Sequence, residues 1–126
     1  MDIYREQIID LYEHPLNYGK LETADFSYEE DNPLCGDVIR IDVKLDAENC
    51  VAQVAWQGNG CAISQASASL LTEEIKGMTL TDLRNFTAER LLELIGVPLS
   101  LARRKCALLS LKVLQTGAAS LPSHSD

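Results

Sequence analysis

Apolar residues at the start of the chain recur at helical spacing. Tyr4, Ile8 and Leu11 lie three or four positions apart, and Pro15 follows within about one turn of the last of them. Because proline lacks the amide hydrogen that a continuing helix needs, this pattern predicts an N-terminal helix that ends before Pro15.

The middle of the chain predicts a small antiparallel sheet. Apolar and polar residues alternate over 38–45, which indicates a half-buried strand. Turn-forming residues at 46–49 and a second apolar stretch at 51–57 bring the chain back as a hairpin. The polar, acidic segment 17–32 is typical of an exposed connection, with a short third strand near Phe26 as an option.

The chain after residue 61 predicts helices only. One helix begins after Cys61 and ends near Gly77, and Thr79 opens a short second helix with the pattern of a capping box. Thr87 is positioned to cap a third helix over 88–95, which Gly96 and Pro98 end, and the last helix runs over 100–115.

The whole chain predicts a single α+β domain. Its 126 residues fit one compact domain. Two strands alone would be marginally stable, so the helices are expected to pack on one face of the sheet. We expect the domain to span residues 1–116 and the small, polar segment 117–126 to be a frayed tail.

Charge and cysteine content narrow the function. Nineteen acidic and eleven basic residues give a net charge of −8, the wrong sign for binding nucleic-acid phosphates. No apolar run approaches the roughly 18–20 residues that cross a bilayer, and the N-terminus lacks a signal-peptide pattern. We therefore expect a cytoplasmic protein without membrane contact. Its four cysteines would stay reduced, which favours metal binding or sulfur chemistry over disulfides.

Three cysteines lie at the ends of predicted elements. Cys35 and Asp37 flank Gly36 before the first hairpin strand, Cys61 precedes a helix, and Cys106 faces inward from the first turns of the last helix. Thiolates suit zinc and iron, and a carboxylate could complete a four-coordinate zinc site or help hold a [2Fe-2S] cluster. Buried, unreactive thiols are the alternative explanation, because free cysteine is common in protein cores.

Two further features accompany these candidates. Arg103, Arg104 and Lys105 directly precede Cys106, and their charge could balance an anionic metal site. A solvated helix face is the alternative explanation for this triplet. Cys50 lies beside a turn with no motif around it, so we assign it to structure.

Four segments match one family pattern in order. They are Tyr12-Glu-His-Pro-Leu-Asn-Tyr-Gly19, Asn32-Pro-Leu-Cys-Gly-Asp37, Gly58-Asn-Gly-Cys-Ala-Ile-Ser-Gln-Ala-Ser-Ala-Ser69 and Arg103-Arg-Lys-Cys-Ala-Leu-Leu109. In these segments the chain resembles the IscU, SufU and NifU N-terminal family of iron-sulfur cluster assembly proteins. The resemblance implies that Cys35, Asp37, Cys61 and Cys106 bind Zn²⁺ or a transient [2Fe-2S] cluster. It also implies a pyridoxal-phosphate-dependent cysteine desulfurase as sulfur donor and downstream cluster assembly proteins as partners.

The sequence carries features of two branches of that family. Lys105 before the last cysteine is similar to the zinc-bearing SufU-like sulfurtransferases, whereas the short spacing from Cys61 to Cys106 is similar to the IscU-like scaffolds. We predict a zinc-dependent sulfurtransferase in which Cys106 accepts sulfur, Asp37 keeps the site labile and Arg103 stabilises the freed thiolate. One alternative is a non-enzymatic scaffold that assembles and transfers a [2Fe-2S] cluster. The other is a non-catalytic, zinc-stabilised interaction module.

Overall fold

The described part of the chain folds into one small sheet and five helices. The computed structural model describes residues 3–33 and 36–121, with side chains described from residue 5 onward. The elements in these ranges are α1 (Ile3–Glu13), β1 (Phe26–Asn32), β2 (Asp37–Leu45), β3 (Val51–Asn59), α2 (Ala62–Glu74), α3 (Leu80–Asn85), α4 (Ala88–Ile95) and α5 (Leu101–Ala119). Their order confirms the predicted α+β class and the N-terminal helix. Among the described residues, no helix combines the length and apolar character needed to cross a membrane.

The core lies between one face of the sheet and two of the helices. The strands are antiparallel in the order β1-β2-β3. Ile39, Ile41 and Val43 alternate along β2 and are at most 1% exposed, and Trp56 of β3 pairs with Ile41. Helix α5 packs on β1 and β2, and α2 packs on β3. This arrangement confirms that helices cover one face of the sheet.

The second half of the acidic segment 17–32, where a short third strand was an option, is the edge strand β1. It pairs with β2 from Phe26, opposite Val43, to Asn32, opposite Asp37. Lys112 of α5 forms an ion pair with Glu30 of this strand at 2.6 Å. The third strand near Phe26 is confirmed, but it is longer than expected because β2 offers a free edge whose backbone groups need partners, a long-range effect that local composition does not show.

Asp42 also departs from the simple alternation of β2. The pattern places it on the outward, polar side, yet it is only 2% exposed. Its carboxylate accepts hydrogen bonds from the backbone N–H of Leu21, the hydroxyl of Ser27 and Nε of Arg40. The loop before β1 therefore covers this side of the sheet locally.

The predicted helix ends are largely confirmed. Thr79 opens α3 with a reciprocal capping box, and Gly96 ends α4 in the left-handed conformation with φ 74°. Helix α5 continues past its predicted end to Ala119. Residues 117–119 thus belong to the folded domain rather than to the expected tail, and residues 122–126 lie outside the described ranges.

The segment after α1 lies along β3 and α2. The indole N–H of Trp56 donates to the carbonyl of Leu16 at 2.8 Å, and the Gly19 N–H donates to the carbonyl of Trp56 at 2.9 Å. The Asn17 amide donates to the Thr72 hydroxyl of α2 at 3.1 Å. These contacts fix the C-terminal end of α1 against the sheet and against the helix that begins at the candidate site.

Candidate metal centre

Three of the predicted ligands converge on one point from three separate elements. Asp37 is the first residue of β2, Cys61 is the N-cap of α2, and Cys106 lies in the second turn of α5. One carboxylate oxygen and the two Sγ atoms all lie within 4.8 Å of one another. Cys35, the fourth predicted ligand, lies outside the described residues, and Gly36 beside it has φ 74°.

Asp37 is buried because of its place in the strand. It shares the helix-covered face of β2 with Ile39, two residues further on, and it is 1% exposed. Its Oδ1 accepts a hydrogen bond from the backbone N–H of Cys61 at 2.9 Å, and its Oδ2 lies 3.6 Å from the Cys61 Sγ. The carboxylate is therefore oriented toward the start of α2, and one of its oxygens faces a thiol.

Cys61 presents its sulfur at the start of a helix. Its backbone is extended, with φ −71° and ψ 162°, and its side chain makes no capping hydrogen bond to α2. The positive end of the helix dipole lies here and favours a negatively charged group. The Ser64 hydroxyl lies 3.8 Å from Sγ and donates to the Cys61 carbonyl at 3.1 Å, while the Gln65 amide donates to the Gly60 carbonyl at 2.9 Å.

Cys106 faces inward, as its helical position predicts. It is 6% exposed and lies on the buried side of α5 together with Leu109. The next residue, Ala107, offers its carbonyl to the Ser67 hydroxyl of α2, and Ser67 also contacts the Ser110 hydroxyl at 3.2 Å. Because these residues are small, α2 and α5 can approach closely. The close approach brings Cys61 and Cys106 together.

The predicted positive residues lie at the edge of this cluster. Arg103 is exposed in the first turn of α5. It lines a groove of about 280 Å³ together with Arg5, Ile8, Ile9, Ile63, Val97, Pro98 and Leu99. Lys105 lines a second groove of about 360 Å³ with Lys112 and residues of β1 and its following turn. Arg103 and Lys105 thus face two different grooves, and their charges lie on the exposed first turns of α5.

Cys50 lies apart from the cluster. It forms an isolated bridge with Thr79, and its Sγ donates to the Glu48 carbonyl at 3.8 Å. Desolvation, together with the carboxylates of Asp46 and Glu48, raises the pKa of the Cys50 thiol. These surroundings suit a structural thiol better than a reactive one.

The donor set and its dimensions fit one zinc ion. Zinc binds sulfur at about 2.3 Å and carboxylate oxygen at about 2.0–2.2 Å, so neighbouring ligands of a tetrahedral site lie roughly 3.5–3.8 Å apart. The observed 3.6 Å between Cys61 Sγ and Asp37 Oδ2 matches this spacing. A [2Fe-2S] cluster instead spreads its protein ligands over two iron atoms. The three ligand atoms, which lie within 4.8 Å of one another, are close enough to share one metal site.

Two neighbours of the site were missed by the sequence analysis. Ser64 contacts the Cys61 sulfur and is 1% exposed. Gly60 leaves space that the Asp37 carboxylate occupies. A serine in the first turn after Cys61 was a visible signal for the first of them. Gly60 contributes by lacking a side chain, and the sequence alone indicates only that it lies in a turn.

Comparison with known proteins places this chain among cluster assembly relatives. The zinc-dependent sulfurtransferase SufU of Bacillus subtilis is 36% identical over 139 positions, covering 93% of this chain and 90% of that protein. The iron-sulfur cluster assembly scaffold protein IscU of Azotobacter vinelandii is 33% identical over 98 positions, covering 75% of this chain and 77% of that protein. A crystal structure from Fervidobacterium islandicum AW-1, described as a scaffold for the SUF system, has a TM-score of 0.74 and 29% identity, covering 90% of this chain and 94% of that one.

These similarities extend over nearly the whole chain. The alignment with the Bacillus protein is longer than the 126 residues of this chain, so that protein has residues without a counterpart here. The model of the NifU-like N terminal domain matches residues 3–125. The chain therefore belongs to the NifU-like N-terminal domain family.

Proposed function

We propose that this protein is an iron-sulfur cluster assembly protein that accepts sulfur from a cysteine desulfurase as a zinc-dependent sulfurtransferase. The observation that carries the proposal is the convergence of Asp37, Cys61 and Cys106 within 4.8 Å, with 3.6 Å between Asp37 Oδ2 and Cys61 Sγ, the spacing that a tetrahedral zinc ion needs. The 36% identity with a zinc-dependent sulfurtransferase supports it.

The zinc site would consist of the three converging residues and Cys35. The first three are placed by β2, α2 and α5, and Cys35 is assigned by its position in the family motif. A bound zinc ion would supply positive charge that keeps the cysteine ligands as thiolates at neutral pH. Asp37 contributes a harder oxygen donor than the three sulfurs, so the site has one chemically distinct ligand.

The sulfur transfer itself is a displacement at sulfur. The Cys106 thiolate attacks the terminal sulfur of a cysteine persulfide on the desulfurase, forming a new S–S bond. The original S–S bond breaks, and the desulfurase cysteine leaves as a thiolate. The terminal sulfur keeps its proton, so the products are a persulfide on Cys106 and a regenerated desulfurase, with no external oxidant or reductant.

Access to Cys106 requires a local rearrangement. Its side chain is only 6% exposed when it faces Asp37 and Cys61. The preceding turn of α5 is exposed over residues 101–105, so a change of the Cys106 rotamer toward that surface would present the sulfur to a partner. Arg103 on that surface would then lie in the region where the freed thiolate needs a counter-charge.

The groove beside the site is the surface we assign to the desulfurase. Arg5 and Arg103 line it, and its apolar wall includes Ile63, two residues from Cys61. A partner segment with apolar and acidic side chains would fit this lining.

Persulfide chemistry also requires reduced thiols, which agrees with action in the cytoplasm. The persulfide would then be passed to downstream cluster assembly proteins.

A cluster scaffold is the second candidate function. One support is the 33% identity with a scaffold protein. The other is that the alignment with the SufU protein is longer than this chain, so this chain lacks residues that the SufU protein has. The same four residues would then bind a transient [2Fe-2S] cluster, with Asp37 as its one oxygen ligand.

The test is desulfurase turnover with and without the zinc-loaded protein, combined with metal analysis. We expect one tightly bound zinc per chain, no coloured cluster after anaerobic reconstitution, and faster release of alanine from cysteine when the protein is present. Cys50→Ser should behave like the wild type, because Cys50 lies outside the site. A stable coloured cluster would favour the scaffold. Bound zinc without any increase in desulfurase turnover would instead favour the non-catalytic, zinc-stabilised interaction module.

A further inference from the structure

Gly60 lies directly against the carboxylate of Asp37. It precedes Cys61, and its backbone has φ 154°, in the region that favours glycine. A Cβ built on it would lie less than 3.0 Å from three side-chain atoms of Asp37: Oδ1, Cγ and Cβ. The space that any other residue would need here is filled by the carboxylate.

The same turn also determines which carboxylate oxygen faces the ligand sulfurs. The Cys61 N–H, directly after Gly60, holds Oδ1 at 2.9 Å. Oδ2 lies on the side of the Cys61 sulfur, 3.6 Å away. The Gln65 side-chain amide holds the Gly60 carbonyl at 2.9 Å, which ties this peptide to the first turn of α2.

We propose that Gly60 is the positioning residue for the carboxylate ligand. Its missing side chain lets Asp37 approach the Gly60–Cys61 peptide closely enough for the Cys61 N–H to hold Oδ1. Oδ2 is then the oxygen of Asp37 that would be offered to an ion beside the Cys61 sulfur. This inference rests on the proposed zinc site. It adds that a residue without any ligand atom sets the geometry of the oxygen donor.

The chain provides a matched control for the backbone cost of the substitution. Gly19 has φ 149°, nearly the same as Gly60, but a Cβ on Gly19 would meet nothing within 4 Å. Gly19→Ala therefore carries a similar conformational penalty without displacing any side chain. A difference between Gly60→Ala and Gly19→Ala isolates the effect on Asp37.

The experiment measures zinc affinity by competition with a chromogenic chelator. Loss of support for a metal ligand typically weakens metal binding about 10- to 100-fold, and we expect a loss in this range for Gly60→Ala. Gly19→Ala should bind zinc as tightly as the wild type. Equal affinities of Gly60→Ala and Gly19→Ala would overturn the proposal.

A double variant separates an effect through Asp37 from general damage. When Asp37→Gly has already removed the whole side chain, including the Cβ that would lie 2.9 Å from a Cβ on Gly60, adding Gly60→Ala should weaken zinc binding no further. If Gly60→Ala alone does not fold, the double variant should recover native far-UV circular dichroism, because the obstructing side chain is gone. A further loss of affinity in the double variant, or its failure to fold, would contradict the proposal. Absence of zinc binding by the wild type would instead refute the proposed function.

Discussion

At the scale of single residues, the described cysteines differ by their electrostatic surroundings. Cys61 lies at the start of α2, and its sulfur is near the carboxylate of Asp37 and the buried hydroxyl of Ser64. Burial, together with the carboxylates of Asp46, Glu48 and Asp82, raises the pKa of the Cys50 thiol. These surroundings therefore disfavour the thiolate of Cys50.

The raised pKa of the Cys50 thiol predicts slow alkylation of this residue. Because its pKa is raised, less of the thiol is ionised at pH 8 than in an unfolded peptide, and only the thiolate reacts with iodoacetamide. We expect its reaction rate to keep rising with pH beyond the point at which the rate for the unfolded peptide levels off. Mass spectrometry of the Cys50 peptide after timed alkylation measures this rate.

Glu48→Gln is the control for this prediction. It removes one of the acidic groups that raise the pKa while keeping the side chain nearly the same size. Alkylation of Cys50 at pH 8 should become faster in this variant. A rate in the wild type equal to that of the unfolded peptide would contradict the assigned surroundings.

At the scale of elements, α5 and β1 depend on each other. Gly117 of α5 faces the ring of Phe26 in β1, and a Cβ on Gly117 would lie 2.7 Å from Cδ1 and 3.0 Å from Cε1 of that ring. Phe26 is itself only 5% exposed. The end of the last helix and the edge strand therefore pack through a position that accepts no side chain.

Gly117→Ala should consequently destabilise the fold. The same change inside an exposed helix usually raises stability by about 0.5–1 kcal/mol. Here the added methyl group enters a filled site, and overpacking of this kind costs about 1–3 kcal/mol. Urea unfolding should show a lower free energy of unfolding for Gly117→Ala. In a Phe26→Leu background the same substitution should be neutral or stabilising, and destabilisation of equal size in both backgrounds would contradict this packing.

The same pair of elements shows where sequence reasoning reached its limit. The capping box at Thr79 and the left-handed Gly96 were predictable because their signals are local. The full length of β1 and the last turn of α5 were not, because each is stabilised by a partner far away in sequence. The candidate site follows the same rule: motif residues such as Cys61 could be identified, whereas the steric role of Gly60 required the position of Asp37.

At the scale of the whole molecule, the metal is expected to add stability to a fold that forms without it. The buried core between the sheet, α2 and α5 is continuous. A domain of this size buries enough surface to fold without a metal. The three described candidate ligands nevertheless come from β2, α2 and α5, so an ion would connect elements that are far apart in sequence.

Metal removal should therefore lower stability without unfolding the protein. An ion that binds only the folded state adds about 2.7 kcal/mol when its free concentration exceeds Kd by 100-fold. We expect a chelator to lower the Tm while leaving the far-UV circular dichroism spectrum at 25 °C unchanged. The Cys106→Ser variant should show a smaller decrease in Tm on chelation. Complete loss of helical signal on chelation would contradict the view that the apolar core is sufficient.

In the proposed function, a cysteine desulfurase transfers sulfur to this site, and to Cys106 in particular. The most direct measurement is mass spectrometry of the zinc-loaded protein after incubation with a cysteine desulfurase and cysteine, with persulfides trapped by alkylation. We expect one added sulfur atom on the peptide that contains Cys106, and none on the corresponding peptide of the Cys106→Ser variant. Normal sulfur uptake by Cys106→Ser, or added sulfur found only on Cys50 or Cys61, would contradict it.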